Sequence, residues 1–334
     1  MTSTDPKAIE ALAAGVRAGE RRALSRAISW IEDETPEGRD LLDLLYSPSP
    51  RAHRIGITGP PGSGKSTLTG ELTRLIRSSG GNVGILAVDP TSPFTGGAIL
   101  GDRIRMQSSS QDPGVFIRSM ATRGSLGGLA STTYGASEAM EAAGFDWILI
   151  ETVGVGQSEM DVVEAVDTTV VVLVPESGDS VQVMKAGLLE AGDLFVINKF
   201  DREGGDRIEK EIRLMLELAR ERRAGKGEGG VWEPQIFRTI ATRGEGIGDL
   251  ITGIEEHRSF QCRDPAAWGA RQEKRITQRL RSLVRDRLLH SLRVSGALDE
   301  WLEASERLVR DGQASPYALV EDLVSRMIAG KGTE

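Results

Sequence analysis

Short apolar runs alternate with helical stretches from Arg54 to about His257. The runs predict strands at 54–58, 84–88, 146–150, 169–174, 194–198 and 235–240. Continuous apolar strands separated by helices imply an α/β fold, a mostly parallel sheet covered by helices on both faces. Ligands on such sheets sit beyond the carboxyl ends of the strands. Outside this span the strand pattern is missing. Residues 7–46 read as helix, and Ser47-Pro48-Ser49-Pro50 reads as a linker. After about residue 258, Ile276, Leu280, Leu283, Val284, Leu288 and Leu292 recur at helical intervals. More helix follows to about Ile328, with a break near 311–316. Three parts are expected: an N-terminal helical extension (1–50), the α/β domain (51–257) and a C-terminal helical arm (258–334).

Composition changes this picture little. The chain has 334 residues, 39% hydrophobic and 27% charged, which suits a soluble protein with a real core. A net charge of −8 argues against a nucleic-acid-binding surface over the whole protein. The stretch 271–293 is basic, with Arg271, Lys274, Arg275, Arg279, Arg281, Arg285, Arg287 and Arg293 against Glu273 and Asp286. No aromatics interleave these charges, so a solvated face of a packing or dimerising helix is favoured over a nucleic-acid surface. The single cysteine, Cys262, excludes an intramolecular disulfide and points to a reducing compartment. The N-terminus lacks the layout of a signal peptide, and no apolar run approaches the ~20 residues of a membrane helix. A cytoplasmic protein without nucleic-acid or membrane partners is expected.

The chemistry begins directly after the first strand. Gly59-Pro60-Pro61-Gly62-Ser63-Gly64-Lys65-Ser66-Thr67 contains Gly-x4-Gly-Lys-Ser, a P-loop, and the helical spacing of Leu68, Leu72, Leu75 and Ile76 follows it. Strand, Gly-rich turn and helix are the context that the motif needs. Glycines let backbone N–H groups close around phosphate oxygens, and the helix N-terminus adds positive potential. Lys65 should reach the β- and γ-phosphates, and the Ser66 hydroxyl should bind Mg²⁺.

A second motif selects the base. The apolar Leu194–Ile197 ends in Asn198-Lys199-Phe200-Asp201. A carboxylate placed there accepts two hydrogen bonds from guanine, at N1–H and the 2-amino group. Adenine offers neither donor, so Asp201 would be left unpaired against it. Lys199 would pack along the ring and Asn198 would brace the loop. The loop Ile240-Ala241-Thr242 suits a backbone N–H aimed at guanine O6. GTP and GDP are therefore the expected ligands. Asp89, Asp102 and Glu151 are candidates for the metal beside Ser66. Mg²⁺ takes only one or two carboxylates plus phosphate oxygens, so some of these acids should act through water. Glu151-Thr-Val-Gly154 matches the pattern in which Gly154 N–H senses the γ-phosphate.

With these residues the chain resembles the MeaB/ArgK family of P-loop GTPases. The matching segments are Gly59–Thr67, Leu86–Ser92, Thr95–Asp102, Leu126–Gly128, Ala142–Asp146, Glu151–Glu159 and Asn198–Asp201, spread over roughly 50–260. The resemblance implies a GTP-hydrolysing chaperone of an adenosylcobalamin-dependent acyl-CoA mutase, usually methylmalonyl-CoA mutase. It would gate cofactor loading and protect or reactivate the mutase. It also implies a homodimer joined through the C-terminal arm, and a partner-responsive segment at Pro175–Lys185. That segment keeps the family's Gly178, Asp179, Gln182 and Lys185, but carries Ser180, Val181 and Met184. Catalysis would come from Lys65 and Mg²⁺ neutralising the phosphates, with Asp102 and Glu151 ordering the metal shell or the attacking water. Lys185 or Gln182 would complete the site when the mutase binds. Two alternatives share the P-loop: a metal-insertion accessory GTPase and a small-molecule kinase. The first needs soft or imidazole ligands, and here His53, His257 and His290 are far apart in sequence. The second fits the guanine motif and the sensing loop less well.

Overall fold

The computed structural model describes residues 5–47, 51–89, 111–121, 128–152, 165–175, 191–224, 232–263 and 297–329, with scattered positions between 269 and 288. The chain divides into two compact units, Met1–Arg279 and Leu280–Glu334.

Among the described residues of the first unit, seven strands form one sheet: β1 (His53–Thr58), β2 (Val83–Asp89), β3 (Val115–Ala121), β4 (Trp147–Thr152), β5 (Thr168–Leu173), β6 (Leu194–Ile197) and β7 (Gln235–Arg238). Their order is β3-β2-β4-β1-β5-β6-β7. Every pairing is parallel. All six expected strands are present, their ends shifted by a residue or two. β3 was not expected, because Arg118 and Ser119 interrupt its apolar run. Tertiary packing explains the arginine. Arg118 pairs with Glu32 at 2.6 Å and donates to Ser29 at 3.0 Å, both on a helix laid across the sheet.

That helix is α2 (Arg21–Glu32), flanked by α1 (Pro6–Arg17) and α3 (Pro36–Leu45). Their starts follow local rules. Asp5 accepts from the Lys7 N–H and Thr35 from the Gly38 N–H, with a proline opening each of these two helices. A helix α4 (Lys65–Ser78) follows the P-loop, and α5 (Gly128–Ala142) precedes β4. Helices α6 (Gly205–Ala224) and α7 (Ile247–Arg263) also belong to this unit.

Side-chain alternation along the strands feeds separate apolar clusters on the two faces of the sheet. Ile148 and Ile150 of β4 pack with α1, α2, α3 and α5 through Val16, Leu24, Ile28, Leu41 and Met140. Leu149, between them, points to the other face and packs with Leu68, Leu72 and Ile254 of α4 and α7. A third cluster joins Leu173, Phe195 and Ile197 to Ile208 and Ile212 of α6. The central strands are therefore buried on both faces, as a parallel sheet requires. The described residues of the second unit include α8 (Ala297–Arg310) and α9 (Pro316–Ala329), joined by a turn in which Gly312 has φ +68°. No helix among the described residues is long and apolar enough to cross a membrane.

Candidate functional site

Chain direction gathers the candidate residues. In a parallel sheet every strand delivers its following loop to the same edge. The P-loop leaves β1, Glu151 lies near the end of β4, Asp89 ends β2, Asn198 follows β6 and Thr239 follows β7. The chain runs from β1 to β2 on one side of the sheet and from β4 to β5 across β1. The P-loop therefore stands over the crevice where the winding reverses.

Within the P-loop, Gly59 has φ +141°, and a Cβ there would lie 2.1 Å from the Val172 carbonyl oxygen of β5. Gly64 has φ +89°, and a Cβ there would lie 2.4 Å from Asn198 Nδ2. Only glycine fits either position. Gly64 is also the N-cap of α4, and no side chain caps that helix. Its first-turn N–H groups thus face the loop, the arrangement that binds phosphate. Lys65 is buried, and its Nζ donates to the carbonyls of Gly59 at 2.8 Å and Pro60 at 3.1 Å. Its ammonium is held where the loop curls. The Ser66 hydroxyl donates to Glu151 Oε1 at 2.5 Å. A hydroxyl and a carboxylate in contact beside a phosphate loop are hard oxygen donors, and that set fits Mg²⁺.

Asn198 is 2% exposed and ties the two ends of the site together. Its Nδ2 donates to the Ser63 carbonyl at 2.8 Å, while its Oδ1 accepts from the Thr239 hydroxyl and the Ala241 N–H, each at 3.1 Å. The expected brace is present, and it reaches further than expected, into the third loop. The Ala241 N–H is thereby committed to Asn198, with Ile240 bridged to Glu245 across the same turn and Thr242 exposed beside it. Lys199 adopts φ +57°, a region few non-glycine residues occupy, and its Nζ donates to the Gly62 carbonyl at 2.8 Å. Asp201 is exposed and lies 3.6 Å from Arg243 Nη2. Sequence reasoning missed Arg243 and Thr239, because neither belongs to a motif.

Asp102, Gly154, Gln182 and Lys185 lie outside the described residues, as does His290. For Asp89 only the backbone position, at the end of β2, is described. His53 and His257, remote in sequence, do meet. The Thr168 hydroxyl lies 2.9 Å from His53 Nε2 and 2.8 Å from His257 Nδ1. This cluster sits at the starts of β1 and β5, the opposite edge of the sheet. Both facing nitrogens are engaged by Thr168, and among the described residues no three His, Cys, Asp or Glu side chains form a metal site.

Known proteins resemble this chain. Residues 24–297 match the family described as methylmalonyl Co-A mutase-associated GTPase MeaB. A putative GTPase of Pyrococcus abyssi is 44% identical over 96% of this chain and 98% of its own length. The mouse mitochondrial methylmalonic aciduria type A homolog is 34% identical over 95% of this chain and 79% of its own. A solved structure described as a LAO/AO transport system kinase superposes with a TM-score of 0.68 at 23% identity, covering 98% of this chain and 99% of that one, which speaks to the fold. The chain belongs to the MeaB family of P-loop GTPases and hydrolyses GTP.

Proposed function

We propose that GTP hydrolysis here serves an adenosylcobalamin-dependent acyl-CoA mutase, methylmalonyl-CoA mutase or a close relative. The protein gates cofactor loading and protects or reactivates the mutase. The observation that carries the partner is the match over residues 24–297 to a mutase-associated GTPase family. The geometry supports the nucleotide end of the reading. The three-bond brace of Asn198 spaces the phosphate loop against the loop that reads guanine. Asp201 accepts from guanine N1–H and the 2-amino group. Lys65 exchanges its carbonyl partners for the β- and γ-phosphates. Ser66 and Glu151, with Asp89 and Asp102 directly or through water, would hold Mg²⁺, which would neutralise phosphate charge. Glu151 would order the metal shell or the attacking water, and Gly154 would sense the γ-phosphate. Gln182 or Lys185 completes the site in the presence of the mutase.

A homodimer through the C-terminal arm belongs to the same reading. In the second unit, Leu280, Leu283, Val284, Leu288, Leu302, Val309, Val320 and Val324 are exposed in the single chain. Apolar surface exposed along each of these helical stretches suits a second copy. The exposed thiol of Cys262 suits a reducing, cytoplasmic compartment.

Co-purification with candidate mutases, with and without a non-hydrolysable GTP analogue, tests the partner. Nucleotide-dependent capture and mutase-stimulated phosphate release are expected. Phosphate transferred to an acceptor, with no free phosphate and no mutase captured, would replace this reading with a kinase.

A further inference from the structure

We propose that Arg238 is a positioning residue for guanine recognition, acting through the Phe200 ring. The proposal rests on reading Asp201 as the carboxylate that selects guanine.

Phe200 is the variable position of Asn198-Lys199-Phe200-Asp201, flanked by the two residues expected to face the base. Its ring is held from two sides. A Cβ on Gly205, the first residue of α6, would lie 2.8 Å from the ring, so helix and ring are in close contact. The Arg238 guanidinium covers the ring, with its Cζ 4.4 Å from the centroid. The guanidinium is itself anchored. Arg238 Nε donates to Glu209 Oε2 at 2.7 Å, and Asp206 lies 3.3 Å from Nη2. Glu209 is 6% exposed, and its other oxygen accepts from Arg213 at 2.7 Å. Burial alone would raise the Glu209 carboxyl; the hydrogen bonds from Arg238 and Arg213 outweigh it and hold the group below its ordinary value, so it stays ionised.

The backbone closes the same circuit. Arg238 ends β7, and the next residue, Thr239, accepts the Phe200 N–H at 3.1 Å and gives its hydroxyl to Asn198. Lys199, one residue before Phe200, sits at φ +57°. A lysine stays in that region only where its surroundings enforce it. Asn198 and the Lys199 ammonium enforce it from the P-loop side. Arg238 does so from the outer side, by pinning the next side chain. Asp201 follows directly, so the ring's placement sets where the guanine-reading carboxylate stands. In sequence Arg238 is one polar residue at the end of an edge strand, with no motif around it.

Affinities for GDP and IDP, kcat and KM for GTP, and melting temperature should be measured for the full chain and for Arg238→Ala, Arg238→Lys, Phe200→Leu, the Arg238→Ala/Phe200→Leu double variant and Asp201→Asn. IDP lacks the 2-amino group. Removing an exposed cation over a ring should weaken GDP binding about two- to fivefold. KM should rise with kcat nearly unchanged, and preference for GDP over IDP should shrink. Arg238→Lys should recover only part, because an ammonium keeps the charge beside Glu209 but not the planar stack. In the Phe200→Leu background, Arg238→Ala should cost no further affinity, since the two changes remove one interaction. Two results would overturn the assignment: Arg238→Ala that lowers only the melting temperature, or effects of Arg238→Ala and Phe200→Leu that simply add. Asp201→Asn separates this from the underlying reading. It should move preference from guanine towards xanthine nucleotides. If it leaves guanine preference intact, the base reading itself fails, and the role of Arg238 fails with it.

Discussion

Replacing Asn198 by alanine removes three hydrogen bonds at once and no apolar packing of consequence. The Ser63 carbonyl, the Thr239 hydroxyl and the Ala241 N–H lose their partner in a place where Asn198 is 2% exposed. Each buried polar group left alone costs on the order of 1 kcal/mol or more, so the loss should total about 3 kcal/mol. For a unit of this size that corresponds to a drop in melting temperature of roughly 6–12 °C. Part of the cost should reappear in binding. The bound nucleotide must then impose the spacing between phosphate loop and base loop that Asn198 holds beforehand, so GDP should bind about tenfold more weakly, or ~1.4 kcal/mol. Thermal melting of the nucleotide-free protein and calorimetric titration with GDP read the two effects separately. Asn198→Asp sharpens the test. It keeps an acceptor for Thr239 and Ala241 but sets an oxygen against the Ser63 carbonyl, so weak GDP binding should persist. A melting temperature within about 2 °C of wild type, or unchanged GDP affinity in both variants, would refute the brace.

Arg54 is 1% exposed and donates to Glu141 at 2.7 Å and Ser137 at 2.9 Å, so Glu141→Ala should cost about 3–5 kcal/mol by leaving a buried guanidinium unpaired, read by urea unfolding. Glu209 lies below its ordinary value of 4.5, so its stabilisation is complete above that pH and is lost as pH falls through the lower folded value. The stability gap between wild type and Glu209→Gln should therefore stay constant from neutrality down to about that value and close below it, measured by melting across pH. Gly38→Ala should destabilise by about 1–3 kcal/mol, because a Cβ there meets the Trp30 carbonyl oxygen at 2.4 Å and backbone cannot step aside; a neutral melting curve would contradict the close helix contact. Ser66→Ala should raise the Mg²⁺ concentration needed for half-maximal GTP turnover while sparing the fold, seen in a metal titration of phosphate release with unchanged melting.

Local signals carried far in this chain, and their reach had a physical limit. A P-loop must be contiguous, because successive backbone N–H groups do the binding, so Gly59–Thr67 was legible without a fold. Strands buried on both faces must be apolar along their length, so β1, β2, β4, β5 and β6 showed in the sequence, and the half-exposed edge strand β7 showed through Ile236 and Phe237. β3 did not, because its Arg118 is satisfied by Glu32, more than eighty residues earlier in the chain. The guanine motif was legible as Asn198–Asp201, yet its supports were not. Thr239, Arg238, Glu209 and Arg243 act through contacts that only the adjacency of β6, β7 and α6 creates. His53 and His257 read as unrelated residues and share one threonine hydroxyl.

By itself, then, the order of residues determined the ligand class, all but one of the described strands, and the family to which the chain belongs. These rest on contiguous runs whose chemistry is complete within a few residues. Tertiary structure decided which side chain braces the phosphate loop against the base loop, what holds Lys199 in its uncommon backbone region, and why an arginine belongs in an edge strand. Those are pairings across tens of residues. A hydrogen bond or an ion pair has no signature in sequence until the fold brings its second partner within 3 Å.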